Sequence, residues 1–92
     1  MTQAQLIQGL NGDLSGELGT IIRYTVQSSK AFGPHGAEVR ELLRSEIQDE
    51  LKHATFLADV IVDLGGEPTT EPQAPSQILT NEEFDALMEG RP

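Results

Sequence analysis

Residues 46–53 read EIQDELKH, and this stretch decides how the rest of the chain folds. On an α-helix with 3.6 residues per turn, Glu50 and His53 lie one turn apart on the same side. The apolar residues around them recur at helical spacing, so the two polar groups interrupt a face that is otherwise built for burial. The apolar members of that face are Val39, Leu43, Ala54, Leu57, Ile61 and Leu64.

The carboxylates of this stretch need a positive partner. An unpaired carboxylate on a buried face costs several kcal/mol, and Glu46 and Glu50, four residues apart, also repel each other. The neighbouring cations, Arg44 and Lys52, point to other sides of the helix. A bound metal ion is the simplest counter-charge, which makes Glu50 and His53 candidate ligands.

The composition limits both the size of the core and the kind of metal site. A chain of 92 residues is close to the size below which one hydrophobic core stops being sufficient, so a partner is expected. The sequence contains no cysteine, which excludes disulfides and thiolate sites and leaves carboxylates and imidazole as ligands. These ligands suit iron or manganese.

The charge and the hydropathy pattern exclude several kinds of partner. Fifteen acidic against six basic residues give a net charge of -9, which repels nucleic acid and anionic membranes. The N-terminus has neither a basic nor a long apolar region, and no stretch approaches about eighteen apolar residues. We therefore expect a cytoplasmic protein with no nucleic-acid or membrane partner.

The first third of the chain has the period of an amphipathic helix, from about Gln3 to Phe32. Glu17 lies in the middle of its apolar stripe, as Glu50 does in the second helix. Glycines at positions 9, 12, 16 and 19 weaken an isolated helix, so tertiary packing must hold this segment, and they let another helix approach closely. The stripe consists of Leu6, Leu10, Leu14, Glu17, Ile21, Tyr24 and Ser28.

Glycine and proline mark the boundaries of the predicted elements. Gly33 and Pro34 end the first helix, and a second helix from about residue 37 to 64 ends at two glycines, which predicts an antiparallel helical hairpin over residues 1–66. Residues 67–79 are proline-rich and predict an extended linker. Residues 80–92 predict a short C-terminal helix and tail, with a capping box from Thr80 to Glu83. Its apolar edge, which should dock on the hairpin or on another chain, is Phe84, Leu87 and Met88.

One hairpin carries half of a familiar ligand set. Di-iron carboxylate bundles use a Glu from each of two helices and a Glu-x-x-His from each of the other two. This chain offers Glu17, Glu50 and His53, so two copies related by a two-fold axis offer the complete set. The predicted fold class is all-α, with the four-helix bundle completed by homodimerisation.

Two segments resemble a known family. Residues 17–24, ELGTIIRY, and residues 49–54, DELKHA, with 33 residues from Glu17 to Glu50, are similar to the first half of a bacterioferritin or a related ferritin-like protein. The resemblance covers about residues 4–70. It implies that Glu17 and His53 are terminal iron ligands, that Glu50 bridges two irons, and that Tyr24 hydrogen-bonds beside the site.

The chain departs from that family in two ways. The second helix pair is missing, and in this respect the layout resembles encapsulated ferritins, which have two long helices, a short C-terminal helix and a site completed by dimerisation. The tail at 88–92 shows no clear encapsulin-targeting peptide. Leu51 stands where bacterioferritins carry their haem-ligating Met, so we expect no haem.

The resemblance implies ferroxidase chemistry, with oxidation of Fe(II) to Fe(III) by oxygen for iron storage or detoxification. The expected catalytic and metal-binding residues are Glu17, Glu50 and His53. Glu46 is a candidate for a secondary cation site, or it lies at an exposed end of the stripe. Expected partners are a second copy or a higher homo-oligomer, and an encapsulating protein shell. The alternative is a non-catalytic dimerisation or adaptor protein derived from a ferritin-like hairpin.

Overall fold

The computed structural model describes residues 1–73 and 81–89, and this part of the chain is helical, with no β-strand. The helices are α1 (Gln3–Lys30), α2 (Gly36–Asp63) and α3 (Asn81–Met88). Helices α1 and α2 have 28 residues each and pack as an antiparallel hairpin in a molecule of 50 × 21 × 18 Å. The predicted all-α class is confirmed. None of the helices in the described ranges has the length and apolarity needed to cross a membrane.

Helix α1 begins with a capping box that the sequence analysis did not identify. The Thr2 hydroxyl accepts a hydrogen bond from the Gln5 backbone N–H at 3.1 Å, and the Gln5 side chain accepts one from the Thr2 N–H at 2.9 Å. These two bonds satisfy amide groups that the first turn of a helix leaves without partners.

The turn between the two long helices is held by a glycine and an arginine. Helix α1 ends at Lys30, two residues before the expected end, because Ala31 is extended, and Gly33 follows with a φ of 84°. Only glycine adopts this left-handed conformation without strain. Arg40 on α2 donates hydrogen bonds to the carbonyls of Ser28 and Ala31 at 3.1 and 2.9 Å. It thereby satisfies acceptors that the end of α1 leaves open.

The apolar stripes of α1 and α2 face each other and form the main core. Leu14, Ala54 and Ile61 are buried, and Ile61 is completely covered. These three residues belong to the stripes expected from the helical period, and the structure confirms their burial. Leu6, which was also assigned to the α1 stripe, is instead exposed, because it lies in the second turn of α1 near the open end of the hairpin. The partly buried residues packed around them are Ile7, Leu10, Leu18, Ile21, Leu57 and Ala58.

The segment after α2 runs back along α1 toward the turn. The Asn11 side chain donates to the Glu67 carbonyl at 3.0 Å and accepts from the Thr69 N–H at 2.8 Å. Ser15 follows one turn later, donating its hydroxyl to the Glu71 carbonyl and accepting from the Gln73 N–H at its own carbonyl. Residues 67–73 thus have no helix and are attached to α1. The rest of the predicted linker lies outside the described residues.

Helix α3 docks at the turn end of the hairpin. Phe84 and Met88 are buried with Ala31, and Val39 and Leu43 pack against this cluster. Lys30 on α1 also forms a 3.1 Å ion pair with Asp85. The predicted docking of the apolar edge on the hairpin is confirmed for Phe84 and Met88, whereas Thr80 and the Leu87 side chain lie outside the described residues.

The core predicts that truncating two adjacent residues of α2 has very different effects on the free energy of unfolding. Ile61→Ala should lower the free energy of unfolding by about 2–5 kcal/mol, because it removes three buried carbon atoms and leaves a cavity. Val62→Ala is the matched control, since Val62 is 59% exposed and its truncation should change stability by less than about 0.5 kcal/mol. Urea unfolding followed by circular dichroism measures both values, and equal effects would contradict the assigned core.

Candidate metal centre

The hairpin brings three predicted ligands together near the middle of its length. Glu17 lies 13 residues before the end of α1, and Glu50 lies 14 residues after the start of α2. In an antiparallel pair, similar distances from the turn place both residues at one level, roughly 20 Å from it at 1.5 Å per residue. Glu17, Glu50 and His53 each offer one ligand atom, and these atoms all lie within 4.8 Å of one another.

The carboxylate of Glu17 has one oxygen without a partner. Its Oε2 is buried and has no hydrogen-bond partner among the described residues, although the side chain as a whole is 27% exposed. The nearest cationic candidate is Nδ1 of His53 at 3.9 Å, which is too long for a hydrogen bond. A carboxylate oxygen removed from water without compensation is costly. A positively charged group bound beside Glu17 Oε2 would therefore compensate this cost.

The separation of the ligand atoms suits a metal ion. Bonds from a metal to carboxylate oxygen or imidazole nitrogen are about 2.0–2.2 Å long, so two ligands on one ion lie up to about 4 Å apart. The 3.9 Å between Glu17 Oε2 and His53 Nδ1 falls within that range. Two carboxylates and one imidazole form a donor set that iron accepts readily. The orphaned oxygen and the donor set together fit iron.

The three ligands differ in their access to solvent. Glu17 and Glu50 are half-buried, whereas the His53 side chain is 64% exposed. The site is therefore closed by the core on one side and open on the other. An ion can reach it from the open side, and a second protein surface can cover it there.

An open groove of about 520 Å³ adjoins Glu17 and His53. The sequence analysis did not predict this groove, although Gly12 and Gly16, which lack side chains and line it, could have indicated an open surface there. An added Cβ at either glycine, or at Gly9, would have no neighbour within 4 Å, so α2 of the same chain does not use the close approach these residues allow. The remaining lining residues are Asp13, Phe56 and Leu57.

Two further residues from the sequence analysis lie outside this cluster. Glu46 is exposed on α2, one turn before Glu50, and is not part of the ligand group. Tyr24 is half-buried on α1, seven residues after Glu17 and therefore roughly 10 Å farther along the same side of the helix. The secondary cation site at Glu46 and the hydrogen bond from Tyr24 remain predictions.

The sequence profile of the Ferritin family, a ferritin-like domain, matches residues 7–89. The chain belongs to the ferritin-like family. This match spans most of the chain and includes the ligand cluster and helix α3. The resemblance inferred from residues 17–24 and 49–54 is therefore confirmed.

A solved structure agrees with this family assignment. The ferritin-like chain is similar to a crystal structure described as a ferritin-like, diiron-carboxylate protein from Bacillus anthracis str. Ames, with 37% sequence identity and a TM-score of 0.80. The similarity covers 96% of this chain and 65% of that one, so this chain spans less than two thirds of the neighbour's length. No match was found among curated proteins.

Because one Glu17 oxygen lacks a partner, Glu17→Gln should raise the stability of the metal-free protein and lower its affinity for metal. The metal-free protein should become more stable to unfolding, because a buried uncompensated charge is removed. Affinity for Zn²⁺ should fall more than tenfold, since even the loss of a group that only supports a ligand costs about 10–100-fold. Thermal unfolding and calorimetric titration with Zn²⁺ measure these effects.

Asp13→Asn is the control for this variant. Asp13 is an exposed acid of the same groove, one turn before Glu17, and is not part of the ligand group. It should keep the Zn²⁺ affinity within about threefold of the parent protein. Equal losses in the two variants would mean that general negative charge, and not ligation by Glu17, binds the cation.

Proposed function

We propose that two copies of this ferritin-like chain bind two iron ions between them and oxidise Fe(II) to Fe(III) with oxygen. The observation that carries this proposal is the cluster of Glu17, Glu50 and His53, with the buried Glu17 oxygen that lacks a partner. An acid held in this way is an unfavourable feature of the metal-free protein. Binding a cation turns it into a favourable one.

The ligand count supports a dimer. Glu17 on α1 and the Glu50-x-x-His53 pair on α2 are half of the set that di-iron carboxylate bundles use. A second copy related by a two-fold axis supplies the same three residues from the opposite side. The open side of the site, where His53 is exposed, is the side available to that copy.

Charge balance favours Fe(II) as the substrate. Four carboxylates, two from each copy, carry four negative charges and balance two Fe(II) ions, while neutral His53 adds a nitrogen ligand without charge. Oxidation raises the charge of the pair of ions by two, and the two electrons released reduce one O2, which takes up two protons, to hydrogen peroxide. The oxidised pair then attracts additional anions, which favours hydrolysis and release of Fe(III). The carboxylates thus hold Fe(II) without an excess charge and let the product leave.

The similar structure from Bacillus anthracis also supports iron as the bound metal. That protein is described as diiron-carboxylate, and it shares 37% sequence identity with 96% of this chain. Because the present chain spans 65% of the neighbour's length, the way the bundle is completed can differ between the two proteins.

Storage of the oxidised iron would further require a larger cage or a surrounding compartment, since two hairpins enclose no cavity.

The test is an anaerobic titration with Fe(II), followed by admission of air. About one iron per chain should bind, and oxygen uptake and the ultraviolet absorbance of Fe(III) should both rise above the buffer rate. His53→Gln should abolish most of this rate, because it removes the nitrogen ligand. His35→Gln is the control, since His35 is the other histidine of the sequence and lies exposed in the turn.

The alternative function is that of a non-catalytic adaptor. It is supported by nine exposed large hydrophobic residues in the described part of the chain, which are a suitable surface for a protein partner. An adaptor would keep its partner surface but show neither tight iron binding nor oxygen uptake above buffer. Equal activity of the His53→Gln and His35→Gln proteins would also reject the ferroxidase proposal.

A further inference from the structure

Helix α3 packs against the side of the hairpin that carries the candidate ligands, called here the ligand side. Residues seven positions apart on a helix complete almost two turns and therefore lie on one side of it. Three hairpin residues of the cluster around Phe84 and Met88 are each separated from a ligand by seven or fourteen positions. These pairs are Ala31 with Glu17, Val39 with His53, and Leu43 with Glu50. Helix α3 thus covers part of the ligand side.

The covered part lies between the ligands and the turn. At 1.5 Å per residue, Leu43 is roughly 10 Å from the level of Glu50, and Ala31 is roughly 21 Å from the level of Glu17. The ligands themselves are not covered, as the 64% exposure of the His53 side chain shows. Helix α3 is therefore a neighbour of the metal centre and not a part of it.

A second copy that completes the metal centre needs the surface under α3. Each long helix has 28 residues, so a copy centred on the ligands extends roughly 20 Å toward the turn, whichever way it runs. Helices of a four-helix bundle are inclined by about 20°, which moves them sideways by only about 7 Å over that distance. A helix is about 10 Å wide. The second copy and α3 therefore compete for one surface.

The attachment of α3 suits a part that can be displaced. An isolated helix of eight residues is not stable in water, so α3 depends on its docking. The 3.1 Å ion pair between Lys30 and Asp85 joins side chains that are 36% and 41% exposed, and such pairs contribute little. The other carboxylate oxygen of Asp85, Oδ1, is buried without a hydrogen-bond partner among the described residues, which weakens the docking. The burial of Phe84 and Met88 is therefore the main stabilising contribution.

We propose that α3 is a displaceable cover, which shields the apolar surface at Val39 and Leu43 in the metal-free chain and leaves when metal ions draw a second copy onto the ligand side. This inference rests on the proposed function, because the shared metal centre supplies the free energy that displaces α3. Without metal, the carboxylates of two copies repel each other, and α3 keeps the chain monomeric. Metal binding thereby controls assembly.

A tryptophan reporter tests the displacement, because the sequence contains no tryptophan. In the Phe84→Trp chain, the indole should be buried without metal and become exposed when Zn²⁺ drives dimerisation, with a red shift of its emission and stronger quenching by iodide. Met88→Trp repeats the measurement at the other buried position and guards against a local defect at one of them. A dimer that forms while both indoles stay buried would overturn the proposal.

Val62→Trp is the control for the reporter. Val62 is 59% exposed and lies roughly 120° around α2 from Glu50, away from the ligand side. Its emission should not change with Zn²⁺. An equal red shift at position 62 would mean that the whole hairpin loosens, which would also contradict a displacement confined to α3.

Loosening α3 provides a second test, with an effect opposite in sign to the loss of an interface contact. Phe84→Ser should tighten the Zn²⁺-dependent dimer at least about tenfold in sedimentation equilibrium, because neither copy then has to undock α3 and the gain enters twice. Ala86→Ser, at an exposed position of the same helix, is the matched control and should leave the dimer unchanged. Circular dichroism verifies that the hairpin folds in both variants.

Either of two other results for Phe84→Ser would reject the cover. A weaker dimer would mean that α3 is part of the interface, and an unchanged dimer would mean that α3 does not compete with the second copy.

The outcomes separate this inference from the ferroxidase proposal. Exposed indoles and a Zn²⁺-dependent dimer without oxygen uptake would support the displaceable cover and reject the enzyme. Oxygen uptake by a dimer in which α3 remains docked would reject the cover and leave the enzyme standing. A chain that stays monomeric with Zn²⁺ would reject both the cover and the shared metal centre.

Discussion

The structure depends on how the hairpin accommodates the carboxylate of Glu17. One of its oxygens is buried beside the core and has no hydrogen-bond partner among the described residues. Removing a charged oxygen from water is expensive unless a partner compensates, and here the groups that surround it are another carboxylate and an imidazole. The hydrophobic packing of Leu14, Ala54 and Ile61 must offset that cost in the metal-free protein. A cation bound at this cluster would remove that cost and would therefore stabilise the fold.

Contacts at the turn set the relative position of the two long helices that carry the candidate ligands. The two long helices have equal length, and the Arg40 bonds to the end of α1 and the docked helix α3 fix the turn. A shift of one helix by a single residue would move its ligands by about 1.5 Å and rotate them by about 100°, which would separate them. Asn11 and Ser15 attach the returning segment to the side of α1 that faces away from the candidate ligands. The ligand side is thus left open at the level of the ligands.

The proposed dimer would account for two features of the hairpin. The described chain has fewer fully buried apolar residues than exposed large ones, and its three candidate ligands are half of the set that di-iron carboxylate bundles use. A second hairpin would supply apolar cover and the other three ligands together. The metal site would then depend on assembly of the dimer.

The sequence by itself determined the helices and the candidate ligands. The period of three to four residues located α1 and α2, and Gly33 located the turn. Polar groups inside apolar stripes singled out Glu17, Glu50 and His53, because these signals are local. Only the tertiary structure decided that the three side chains meet within 4.8 Å, that a groove opens at Gly12 and Gly16, and that residues 67–73 bind α1. These features depend on contacts between residues far apart in the chain. No local pattern encodes the relative height and rotation of two helices, which packing alone sets.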